Sequence, residues 1–358
     1  MIFHFFKPLF LTFFLFHYPT YSPEIIDPLI IILSFFSYNS SFTECIRRHS
    51  SLHYHHPNND PSCPPDKLIS GRCTYQTKGP TLSGNGAFLF TDTDFKQCTH
   101  MDGSGDGGAI ECAGGDLTLQ RCSFIQCSCS DRGGAVSFRS DGKCNQEESF
   151  YFSCSSSGVS GALDSFEVGR NPHHRHRRCT YISNSAGIYY GHICIEFSPE
   201  INVDSNIFIR GSSNEPGESW AGTVVQFTPS GTVSYSNCLF TEGKAPNSGG
   251  LGFLSWQEHT TATYSVTFCF FYNNYGTDGT AREIYFTSNT SDYARQDLII
   301  HCFSATPNSK VYLQKTNKDY NWLPQATCRF SLIESSKVII VSHEHIRKSL
   351  NKGVIEEN

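Results

Sequence analysis

The chain has no long run of basic residues. Its 27 Lys and Arg stand against 33 Asp and Glu, a net charge of −6. Neutralising a phosphate backbone takes clustered cations, so nucleic acid is excluded as the main partner. No stretch reaches the 18 or so uninterrupted apolar residues of a membrane-spanning helix. No long window repeats its apolar residues with the 3.6 period of an amphipathic helix. Charged residues are scarce, at 17%, and Met occurs only twice. Gly and Pro, 29 and 16 residues, keep about their average share, which excludes collagen and Gly/Pro-rich disorder. Sixteen Cys are many for a cytosolic enzyme and few for a small disulfide scaffold. There are 29 Phe, and 38% hydrophobic residues can supply a core.

Residues 1–45 have their own composition. Lys7 precedes the apolar run Leu9–Phe16, and a second run, Leu29–Phe36, comes after Pro19, Pro23, Glu24, Asp27 and Pro28. The first run has the length and positive flank of a signal-peptide core, without a small-x-small cleavage site. A two-run membrane anchor and a mis-set start codon are the alternatives. Residues 46–80 read as a linker and N-terminal cap, rich in Pro and His. There His53, His55 and His56 could ligate a metal, but no Cys or His pair at zinc-site spacing accompanies them. A solvated loop is the expectation.

From residue 81 to 305 the sequence repeats. Small-residue turns leading into an apolar strand recur, and they align on Gly86, Gly108, Gly134, Gly161, Gly187, Gly222, Gly250 and Gly279. The spacings are 22, 26, 27, 26, 35, 28 and 29. Between them lies a second motif, a Cys or Asn before an aromatic or apolar pair, at Cys122, Cys154, Cys179, Asn206, Cys238, Cys269 and Cys302. Propeller blades need about 40 residues, more than these units have. A β-helix coil fits. The expectation is therefore all-β: a right-handed, single-stranded parallel β-helix of the pectate-lyase type with about eight coils, the 35-residue step being an insertion in one loop. Gly would supply the φ > 0 turn at each corner. The Cys positions would form an interior ladder of mostly free thiols, although coils about 4.8 Å apart also permit disulfides. Residues 306–358 would be a C-terminal cap and a charged tail.

Gly107-Gly108-Ala109-Ile110, Gly133-Gly134-Ala135-Val136 and Ser160-Gly161-Ala162-Leu163 resemble the GGA[ILV] repeats of the polymorphic outer membrane protein family. That family's partner motif, FxxN, is matched by Phe271-Tyr272-Asn273-Asn274, by Tyr181-Ile182-Ser183-Asn184 with Tyr for Phe, and by Phe95 to Cys98 and Phe124 to Cys127 ending in Cys. In its Cys- and Phe-rich character the chain is also similar to β-helix families of parasitic protists. The resemblance implies a β-helix displayed at a cell surface and an adhesin-like role. The bacterial family ends in a membrane barrel of several hundred residues. The residues beyond position 305 here are too few for one, so autotransport is not implied.

The rival reading is an enzyme, because such helices also carry polysaccharide lyases and glycoside hydrolases, which need converging carboxylates or a basic residue beside Ca²⁺. Asp106, Asp131 and Asp278 precede Gly turns, where Asp commonly bonds its own backbone. Asp164, Glu167, Glu196 and Asp204 fall at different points of the coil. Gly191-His192 is similar to a motif of polygalacturonase-like enzymes, but its flanks do not match. The segment from Asn171 to Arg178 is the one basic patch and reads as a solvated corner insertion, with an anion, glycan or metal contact as the alternative. Asn39 and Asn289 open glycosylation sequons. The expectation is a secreted or surface protein without catalytic residues, metal or cofactor, binding an extracellular glycan or protein ligand, with membrane association only through the leader. A polysaccharide-active enzyme and a structural or vestigial member of an expanded family are the alternatives.

Overall fold

The structure is a computed structural model. It describes residues 68–320 except 78, 102–104, 166–172, 197, 214–223, 228–230, 247–248, 256–262, 277–281, 289–297, 305–309 and 314–317. All of these belong to one compact unit, His56–Ser331. The described residues contain no helix. Their strands form three sheets of 14, 7 and 10 strands, and every pairing is parallel except Lys310–Leu313 with Lys318–Tyr320. The chain visits the sheets in rotation. One turn runs through Asp116–Gln120 and Ser123–Ile125 in the long sheet, Ser128–Cys129 in the second and Val136–Phe138 in the third. The next turn stacks on it in register, Leu117 against Cys144 and Phe124 against Tyr151. This is a parallel β-solenoid.

Alternation drives the winding. In the long sheet every second residue points inward: Leu117 and Leu119 are buried while Asp116, Thr118 and Gln120 are not. A strand with one buried face and one wet face reads with period two. The interior is then filled by like residues on successive turns. Tyr75, Phe95, Phe124, Tyr151, Tyr181, Phe208, Phe240 and Phe271 form one continuous column of offset rings, with centroids 4.6–5.0 Å apart. Each such contact contributes about 0.5–1.5 kcal/mol beyond burial.

The second glycine of each repeat has a different cause from the expected one. Gly107 and Gly133, the first of their pairs, hold the positive φ, +64° and +67°. At Gly108, Gly134 and Gly161 a Cβ would fall inside the carbonyl oxygen of Gly134, Gly161 and Gly191 respectively. The backbones of successive turns touch there, so a hydrogen is required on steric grounds. Most left-handed corners carry no glycine at all: Arg121, Gln126, Glu148, Ser153, Arg178, Ser183, Ser205 and Arg210 all have φ between +51° and +57°.

Two register assignments also change. Leu163 pairs with Ile193, and Ile193 with Val224, so the partner of Gly161 is Gly191 and not Gly187. The apparent steps of 26 and 35 become 30 and 31, and no single corner holds the whole insertion. His192 consequently occupies the slot of Ala109, Ala135 and Ala162. In the Cys motif, Gln120 pairs with Glu147 and Glu147 with Arg177. That places Ser149, not Cys154, between Cys122 and Cys179. Cys154 belongs to a second column with Cys98, Cys127, Asn184 and Asn274, the FxxN position.

The two columns perform the same task with different groups. Asn206 Oδ1 accepts from Cys179 N at 2.7 Å, Asn184 Oδ1 from Cys154 N at 2.8 Å and Asn274 Oδ1 from Gly243 N at 2.9 Å. The Asn amides donate back to carbonyls of the previous turn at 2.9–3.3 Å. Where Cys stands instead, its Sγ lies 3.3–3.6 Å from such a carbonyl, as at Cys122, Cys127, Cys154, Cys238 and Cys302. The twelve cysteines from Cys98 to Cys302 are free and buried. Burial pushes the Cys122 and Cys129 thiols up to about 12, because a thiolate would lose its water.

Candidate functional site

Three places collect polar chemistry. The first is the outer face of the long sheet. On the strands Asp116–Gln120, Lys143–Glu147, His173–Arg177, Glu200–Asp204, Thr232–Ser236 and Thr263–Thr267, the first, third and fifth residues face out. All of these positions are polar or charged, and none is buried. Ion pairs lace the edge of this face: Arg121 with Asp92 at 2.6 Å, Arg178 with Glu148 at 3.0 Å and Arg210 with Glu242. Asp204, one of the sequence candidates, lies here. It accepts from Ser236 Oγ at 2.7 Å and Asn237 Nδ2 at 3.0 Å.

The second is a carboxylate–guanidinium cluster on the third sheet. Leu163–Ser165 and Ile193–Glu196 are adjacent strands there. Asp164 and Glu196 both reach Arg132 Nη1, at 3.5 and 4.0 Å. Asp106 pairs with Arg139 and accepts from Arg132 N at 3.1 Å. The carboxylates that look scattered in the sequence thus include two that converge, because the Gly191 register brings Glu196 onto the rung beside Asp164. Asp106, read as a turn residue, joins them across the corner. Asp131 forms no ion pair among the described residues, and Asp278 and Glu167 lie outside them.

Burial dominates the electrostatics of this cluster. Asp164 is fully buried and its carboxyl is pushed up to about 6, the loss of water outweighing the attraction of Arg132, with Asp106 adding repulsion. Glu196 is pushed up to about 8 by burial and then by Asp164, against Arg132 and a hydrogen bond from Cys194 Sγ at 3.3 Å. Burial likewise raises Asp106. Two carboxyl groups whose surroundings separate their proton affinities can act as acid and base. Access is narrow, since the Asp164 side chain is 0% exposed and that of Glu196 10%.

The third lies inside the solenoid. The basic segment read as a solvated insertion is in part a strand, His173–Arg177. Strand alternation turns His174 and His176 inward, 2% and 0% exposed, and leaves His173, Arg175 and Arg177 outside. His174 is the register partner of Cys144, and His176 that of Gln146. Sequence reasoning missed this because the length of the corner before it hid the period-two pattern of its own strand. In Gly191-His192 the imidazole lies in the interior, fully buried, with His192 Nδ1 2.9 Å from Asn184 Nδ2. The His53 cluster, both sequons and the leader lie outside the described residues.

No protein-family model, curated protein or solved structure matches this chain.

Proposed function

We propose that this is a non-catalytic, secreted or surface-displayed solenoid that binds an extended glycan along the outer face of its long sheet. The observation that carries the reading is one arm of that face, the six consecutive rungs from Asp116–Gln120 to Thr263–Thr267, whose three outward positions each are without one apolar side chain, whereas the adjoining arm carries the partly exposed Phe150 and Phe152. Successive rungs repeat about every 4.8 Å, so the hydroxyl, amide and charged groups form a regular grid. Such a grid can hydrogen-bond a repeating polymer many times over, and weak contacts multiply when they are linked. On these six rungs a protein ligand would meet none of the aromatic or aliphatic anchors that protein interfaces centre on. The likeness of the GGA[ILV] and FxxN repeats to those of the polymorphic outer membrane proteins supports display outside the cell and the right-handed winding. The apolar run Leu9–Phe16 supports export. No helix among the described residues is long and apolar enough to cross a membrane.

Binding of the full-length chain to an array of linear and branched glycans tests the proposal. A preference for linear chains is expected, with at least a tenfold weaker response from Arg175→Glu, at the centre of the face. An array without signal, or a signal indifferent to Arg175, overturns it.

A second reading has its own support. Asp106, Asp164 and Glu196 around Arg132 and Arg139 are the carboxylate convergence that a polysaccharide-active solenoid requires. Release of reducing or unsaturated sugar ends from polyuronides and neutral polysaccharides, abolished by Asp164→Asn, would replace binding by catalysis.

A further inference from the structure

The interior of the long sheet is apolar on most turns: Leu117 and Leu119, then Ile201 and Val203, then Val233 and Tyr235. Two consecutive turns depart from this pattern, placing Cys144 and Gln146, then His174 and His176, at the same inward positions. Their hydrogen bonds are ordered. His176 Nδ1 lies 3.2 Å from Tyr181 Oη, and that hydroxyl donates to Gln146 Oε1, also at 3.2 Å. The Tyr181 oxygen therefore accepts the Nδ1–H of His176, and Nε2 keeps its lone pair. Likewise Ser165 Oγ sits 2.9 Å from His174 Nε2, leaving Nδ1. Both remaining nitrogens are buried without a hydrogen-bond partner. A buried polar atom without a partner is destabilising, and two of them on successive inward residues of one strand call for a ligand. One ligand atom from each of Cys144, His174 and His176 lies within 4.8 Å of the other two.

We propose that Cys144, His174 and His176 bind one zinc ion inside the solenoid. A thiolate and two imidazoles are a zinc donor set, and an outer oxygen that fixes each imidazole is the usual companion of such ligands. Zinc bonds of about 2.0–2.3 Å place ligand atoms roughly 3.5 Å apart, so groups that already lie within 4.8 Å of one another need to draw in by about 1.3 Å at most. Binding releases the Cys144 thiol proton to solvent, and the Zn–S bond replaces the S–H bond with no change of oxidation state. With every ligand buried, the ion enters while the strands Lys143–Glu147 and His173–Arg177 close on each other. Three protein ligands leave the fourth tetrahedral position to a water, and the site is independent of what the outer face binds.

Full-length protein refolded under reducing conditions with Zn²⁺, then dialysed against a weak chelator, should retain one equivalent by elemental analysis. Cys144→Ser and His176→Gln should each retain less than a third of an equivalent, and Cys127→Ser the full amount. Metal-free wild-type protein overturns the proposal, and so does an equivalent that survives loss of His176, which would assign the ion to other thiols. X-ray absorption of the loaded wild-type chain needs no variant: one sulfur and two imidazole nitrogens are expected, and two or more sulfurs overturn the assignment.

Discussion

A hydrogen at Gly134 is a steric requirement, since the carbonyl oxygen of Gly161 occupies the space a Cβ would take. Gly134→Ala must separate two turns that the flanking strands hold together, and strain of this kind costs about 1–3 kcal/mol. The expected outcome is a loss of that size in urea unfolding. An unchanged midpoint would show that the turns can part freely at that corner. Asn206 argues the same way through hydrogen bonding. Its amide accepts from Cys179 N and donates to His176 O. Asn206→Leu removes both bonds and strips the buried Cys179 N of its acceptor, at about 1–3 kcal/mol. Asn206→Ser should lose less, because Ser149 Oγ already accepts from Cys122 N at 3.3 Å on another turn.

The carboxyl pair gives a residue-scale pH dependence. Asp164 and Glu196 hold their protons more tightly folded than unfolded. Their contribution to stability is fully present below about pH 4, and it is lost as the pH rises through about 6 and then about 8. Thermal midpoints measured from pH 4 to 9 should therefore carry a falling component. Glu196→Gln should remove the part between pH 6 and 8. A slope unchanged in Glu196→Gln would show that Arg132 keeps the pair ionised instead.

At the scale of the element, each turn of the long sheet bends at left-handed residues that are not glycine. An L-residue with one Cβ branch tolerates this geometry at about 1 kcal/mol, whereas a β-branched side chain there is a true outlier. Ser183, with φ +53°, tests the point. Ser183→Ile should cost about 1–2 kcal/mol in thermal unfolding, and Ser183→Gly should stay within about 0.5 kcal/mol. Equal effects would mean that the corner adapts to its residue. These bends also explain what the sequence revealed and what it hid. The alternation of GGA-type turns with FxxN-type ends was legible, because close backbone contact admits only Gly and the interior slot after it favours Ala. The exact partners were not legible where a turn breaks its own rule. His192 fills an Ala slot, Ser149 fills a Cys slot, and left-handed corners bearing Arg, Glu or Gln carry no compositional mark. The Asp164–Glu196 convergence depended on the Gly191 register and so stayed hidden with it. The polar outer face came directly from strand alternation once the strands were placed.

For the whole molecule, a stack in which each turn touches only its neighbours gains stability by nearest-neighbour addition. Val136 and Leu163 are register partners 27 residues apart, so Val136–Ala162 is one complete turn beginning and ending at equivalent points. Removing it joins Ala135 to Leu163, which then occupies the place of Val136. The aromatic column closes over the gap, with Phe124 meeting Tyr181 where Tyr151 stood. The shortened chain should retain the β-type far-UV spectrum without helix and unfold cooperatively. By the usual per-residue share of stability, one lost turn is worth roughly 1–4 kcal/mol. Removing only Val136–Ser155 should leave a less stable chain than the whole-turn deletion, because the remaining seven residues must bulge from the corner before Leu163, with Val159 and Ala162 no longer buried against a complete turn. If both deletions unfolded alike, the turns would not be interchangeable units, and stability would rest on contacts that run the length of the stack.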